Sequence, residues 1–91
     1  MSFKKLKKTL SEKIGAATQK AYGQLPQKIE IGFPPNTDLG HFAVGCFDLA
    51  KQFRKSPAEI AGQVADNIGP DEVIEHANAA GPYINLKIKA F

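Results

Sequence analysis

One cysteine, Cys46, and two histidines far apart, His41 and His76, leave the chain without the makings of an internal disulfide or a closely spaced metal-ligand set. No apolar run approaches the roughly 20 residues needed to cross a bilayer, and the lysine-rich start leads into no signal-peptide stretch. No membrane contact is therefore expected, and the cytoplasm is the expected compartment. Internal repeats and low-complexity linkers are lacking too. No Ser/His/Asp set, pair of pocket carboxylates or glycine-rich phosphate loop stands out. The sequence thus offers no catalytic residue, no cofactor site and no metal site; His41 reads as a helix-start residue and His76 as a strand surface residue.

What is present suits one domain over residues 1–91, at 43% hydrophobic and 23% charged the composition of a globule with a single core. The net charge of +3 is unevenly spread, with residues 1–28 at +6, residues 29–82 at −5 and residues 83–91 at +2. Basic ends hint at a polyanion partner, though a basic tail more often serves plain solubility.

Phe3, Leu6, Leu10, Ile14, Ala17 and Ala21 recur every three or four residues and predict a first helix, closed by Gly23 and Pro26. Lys4, Lys5, Lys7 and Lys8 crowd its first turns, where the helix dipole favours acids. Lys28 to Phe33 alternates as a strand, and Pro34, Pro35, Asn36, Thr37, Asp38 and Gly40 predict a loop. A second helix is expected from near Gly40 or His41, with Phe42, Cys46, Leu49, Ala50 and Phe53 on one face, so that Cys46 packs rather than reacts. Ser56, Pro57, Ala58 and Glu59 form a capping box leading a third helix through Ile60, Ala61, Val64, Ala65 and Ile68. Val73 to Ala80 is a strand candidate weakened by its alanines, and Gly81 and Pro82 break it. The fold class is α+β, a small antiparallel sheet against about three helices, in the order α-β-α-α-β-β.

The last run alternates strictly. Ile84, Leu86 and Ile88 face the core, which sends Tyr83, Asn85, Lys87 and Lys89 to the opposite face. A ring can stack on a base, an amide can make two hydrogen bonds to an adenine edge, and lysine neutralises phosphate. An exposed strand face with lysines that discourage aggregation would look the same.

From Ile29 to Ile88 the sequence resembles the N-terminal additional domain of arginyl-tRNA synthetases. The resemblance rests on four segments in order: Pro34, Pro35, Asn36 with Gly40, His41, Phe42, Ala43; Leu49, Ala50, Lys51; Pro57 to Ala61; and Ala80, Gly81, Pro82, Tyr83, Ile84, Asn85. His41 departs from the Asp or Glu that many members carry, and Pro82 runs into Tyr83 without the extra glycine common in the family. The resemblance implies a tRNA-binding domain of an arginine-tRNA ligase, a class I aminoacyl-tRNA synthetase, ahead of its catalytic domain. Its partners would be that catalytic domain and the D-loop at the outer corner of tRNA(Arg), with no role for DNA. It places the reading of a D-loop base on Tyr83 and Asn85. Lys87, Lys89, Lys4, Lys5 and Lys8 join them as candidate RNA contacts on charge. ATP would belong to the catalytic domain, whose paired-histidine and lysine signatures are missing here. Two other readings stay open: a freestanding protein-interaction module using Glu59, Asp66, Asp71, Glu72 and Glu75, and a small enzyme of unknown chemistry.

Overall fold

The stripe of apolar residues at three- and four-residue spacing produces helix α1 (Phe3–Tyr22), which buries Leu6, Leu10, Ile14 and Ala17. The computed structural model describes residues 3–35 and 40–89; the side chain of Phe3 and the expected loop residues Asn36, Thr37 and Asp38 lie outside the described residues. Gly23 ends α1 with a φ of 78°, donating its N–H to the Gln19 carbonyl at 2.7 Å, the left-handed stop that glycine adopts without a Cβ penalty.

The remaining elements are β1 (Glu30–Gly32), β2 (Phe42–Gly45), α2 (Phe47–Phe53), α3 (Pro57–Asp66), β3 (Ile74–Ala80) and β4 (Tyr83–Ile88). All strand pairs are antiparallel, and the sheet order is β1-β2-β4-β3. Helix α3 starts as its sequence requires, with the Ser56 hydroxyl accepting from the Glu59 N–H at 3.2 Å and Pro57 at the first helical position. It stops at Asp66, and Ile68 is still buried in the turn beyond it.

The expected order of elements needs one correction. Residues 42–45 form a strand rather than the opening of the second helix, so the order is α-β-β-α-α-β-β. The reason is an ambiguity of spacing. Phe42, Cys46, Leu49 and Phe53 fit one helical face, but Phe42 and Val44 also alternate with Ala43 and Gly45, and both larger residues are fully buried. The chain changes from strand to helix at Cys46, whose thiol is buried and pushed up to about 11 by desolvation, so it stays protonated and packs.

Phe42, Val44, Ile74, Ile84, Leu86 and Ile88 from the sheet join Leu10, Ile14, Leu49, Ile60 and Val64 from the helices in one core. The helices therefore cover one face of the sheet and leave the other open. The hairpin from β3 to β4 turns through Gly81 and Pro82, with Ala80 paired to Tyr83; Gly81, at φ 57°, supplies the positive φ that the turn needs. Among the described residues no helix is long and apolar enough to cross a membrane.

Helix α1 is fastened to the start of β3 by Lys13, whose ammonium lies 2.6 Å from Asp71. Asp71 also accepts the N–H groups of Val73 and Ile74 at 2.8 and 2.7 Å. Burial disfavours its charge, but the Ile74 N–H, Lys13 and the Val73 N–H together outweigh burial and hold the carboxyl at about 2. Because the folded-state pKa is depressed, this stabilisation is present above about pH 4 and is lost as pH falls through 2. Allowing for solvent screening, Asp71→Asn should cost about 1–2 kcal/mol at pH 6. Urea titrations of the two proteins should converge as the pH approaches 2.

Candidate nucleic-acid interface

The open face of the sheet is built around β4. Its core-facing residues, Ile84, Leu86 and Ile88, fix the register, so Tyr83, Asn85 and Lys87 point away from the helices. Tyr83 stands between Gly45 on β2 and Ala80 on β3; Asn85 stands between Ala43 and Asn78; Lys87 is paired with His76. Glycine and alanine on the flanking strands leave the centre of this face shallow, with Tyr83 rising from it at 44% exposure.

Asn85 differs from what alternation alone predicts. It is on the expected face but only 5% exposed. Its amide makes no hydrogen bond among the described residues, and neither amide atom is a buried orphan. Both amide atoms therefore keep some contact with solvent, with their donors and acceptor unspent.

The upper end of β4 is held by the Gly40–His41 pair. The His41 N–H donates to the Leu86 carbonyl at 2.8 Å, and the Ile88 N–H donates to His41 Nδ1 at 2.9 Å. His41 is thus a backbone acceptor at a strand end, not the start of a helix, and its imidazole does what a carboxylate at that place could do. Gly40, at φ 144°, comes so close to β4 that a Cβ would lie 2.8 Å from the Leu86 oxygen. A side chain there would force the strands apart.

The lysines do not form one patch. Lys87 lies on the open face, 3.7 Å from Glu75. Lys89 falls just past β4, exposed, with its N–H donating to the Val73 carbonyl at 2.8 Å. Lys4, Lys5 and Lys8 belong to α1 and are exposed, on the helix that packs against α3 rather than on β4. The acidic residues of the chain's middle are largely matched from within: Asp71 and Glu72 by Lys13, Glu59 by Lys55, and Glu75 by Lys87.

Three neighbours of the site escape a reading of β4 alone. Phe47, 49% exposed, meets Tyr83 edge to face with ring centroids 5.7 Å apart. Gly45 lies beneath both rings. Asn78, beside Asn85, has its amide nitrogen 2.8 Å from His76 Nδ1. The period-two pattern of Phe42 to Gly45 is the signal that would have brought Gly45, and through it Phe47, next to Tyr83.

Residues 4–88 match the family described as the arginyl tRNA synthetase N terminal domain. The arginine–tRNA ligase of Campylobacter concisus is 35% identical over 81 residues, which is 89% of this chain and 15% of that protein. That of Methanothermobacter thermautotrophicus is 34% identical over 85 residues, 92% of this chain and 15% of the relative. Among solved structures, Thermus thermophilus arginyl-tRNA synthetase superimposes with a TM-score of 0.75 at 29% identity, covering 90% of this chain and 14% of that one. The chain thus spans about a seventh of the length of the relatives it matches. Fold, segment order and sequence agree, and the chain belongs to the arginyl-tRNA synthetase N-terminal domain family.

Proposed function

We propose that this domain binds tRNA(Arg) in the cytoplasm by receiving an unstacked D-loop base on the open face of its sheet. It would thereby support ATP-dependent aminoacylation by a catalytic domain of the same synthetase, which would supply the catalytic residues and the ATP site. The observation that carries this reading is the Asn85 amide. This amide spends no hydrogen bond among the described residues and keeps contact with solvent, so its donors and acceptor are available to a ligand, and it stands two residues from an exposed ring on the same face. Tyr83 would stack on the base and Asn85 would hydrogen-bond its edge. Lys87 and Lys89 would meet phosphates at the end of the same strand. Lys4, Lys5 and Lys8, on the helix layer, would meet a different part of the tRNA backbone.

A gel-shift titration with tRNA(Arg) and with a tRNA for another amino acid tests this. The expected result is salt-sensitive binding that prefers tRNA(Arg); absence of binding to either at low salt would defeat it. In the same assay, replacing Lys4, Lys5, Lys7 and Lys8 by Gln should weaken both tRNAs alike. It should flatten the slope of log affinity against log salt by roughly 0.7–0.9 for each lysine seated on a phosphate. An unchanged slope would return those lysines to a role in solubility.

A further inference from the structure

The edge-to-face contact of Phe47 with Tyr83 is unusual in that both rings are about half exposed, so neither is there to fill the core. Three features fix the pair. First, Gly45 is the cross-strand partner of Tyr83, and the two rings close over the place where a side chain of residue 45 would stand. A Cβ there would lie 3.6 Å from Phe47 Cδ2 and 3.6 Å from Tyr83 Cε1. Second, Phe47 opens α2, and the residue before it, Cys46, donates its N–H to the Pro82 carbonyl at 3.0 Å. The backbones that carry the two rings are therefore tied together one residue away from each. Third, the rings stand at an interplanar angle of 79°, the geometry in which the positive edge of one meets the negative face of the other.

We propose that Phe47 and Gly45 are positioning residues for Tyr83: Gly45 gives the ring a flat floor, Phe47 a wall, and together they hold it as a preformed platform for a nucleic-acid base. This rests on the reading that Tyr83 carries a stacked base. Its physical advantage is that a ring already held in one orientation loses little side-chain freedom when a base lands on it.

Five variants, titrated with tRNA(Arg) and checked for folding by thermal melting, test the proposal. Phe47→Leu keeps apolar volume without a ring and should weaken binding about 3- to 10-fold, whereas Phe47→Tyr keeps the ring and should stay within about twofold of the wild type. Gly45→Val places a strand-favouring residue in β2 but drives its branched carbons into both rings, so it should keep the fold and weaken binding by about 10-fold. In a Tyr83→Ala background, Phe47→Leu should have no further effect, because the ring it positions is gone. Wild-type affinity in Phe47→Leu, or a loss of the same size with and without Tyr83, would overturn the proposal. If Tyr83→Ala itself binds like the wild type, the reading of the whole face fails; if only Phe47→Leu does, the positioning role fails alone.

Discussion

Asn85→Ala is expected to erase the preference of the domain between tRNA(Arg) and the same tRNA with its D-loop base changed. A paired amide contact distinguishes bases by roughly 1–3 kcal/mol, a magnitude taken from duplex DNA, so about 5- to 150-fold of selectivity is at stake. The substitution is a clean one. Asn85 spends no hydrogen bond within the described residues, and its neighbour across β2 is already the alanine Ala43, so the fold has little to lose. Tyr83→Ala should behave differently. Stacking is worth roughly 1–3 kcal/mol per base whatever the base, so affinity for both tRNAs should fall together and the preference should survive. Paired titrations of the two variants against the two tRNAs separate the outcomes. If Asn85→Ala retains full discrimination while folded, the amide is not the reader and the assignment of this face is wrong.

Ile84, between these two residues in sequence, should give the opposite result. It is fully buried against the helix layer, with Val44 and Ala79 as its cross-strand neighbours. Ile84→Ala should destabilise the domain by about 2–5 kcal/mol, a transfer cost plus that of the cavity left in a packed core. For a domain of this size each kcal/mol shifts the melting temperature by roughly 4–8 °C, so a fall of at least about 10 °C is expected in a thermal melt. Binding per folded molecule should be unchanged. A variant that melts like the wild type but loses tRNA selectivity would mean that the two faces of β4 have been exchanged.

Much of this architecture could be read from the residues. Helix α1 and helix α3 carry both a periodic apolar stripe and a stop or start signal, Gly23 for one and Ser56–Pro57 for the other, and they lie where those signals put them. The strict alternation of β4 assigned its faces correctly. Strand β2 was hidden because it is four residues long and runs into a helix, so its apolar residues satisfy two periods at once. Strand β3, with three alanines and an asparagine among its last four residues, is a poor strand former by composition; it exists because β4 pairs with it from Ile74 to Ala80, with one register shift at Glu75. The burial of Asn85 was not legible either. Alternation states which way a side chain points, whereas burial depends on what the neighbouring strands place around it. Nor could charge counting show that the α1 lysines and the β4 lysines sit on different layers, because that separation is made by the core between them.

The sheet order β1-β2-β4-β3 puts the strand nearest the end of the sequence in the interior, paired on both edges. During synthesis, helices α1 to α3 and strands β1 to β3 leave the ribosome before the residues that unite them. Until Tyr83 to Ile88 emerge, β2 and β3 have no strand between them, and the apolar sides of the helices have no completed surface to close on. The native sheet is therefore complete only once Tyr83 to Ile88 are present, because this one six-residue segment joins the β1-β2 pair to β3.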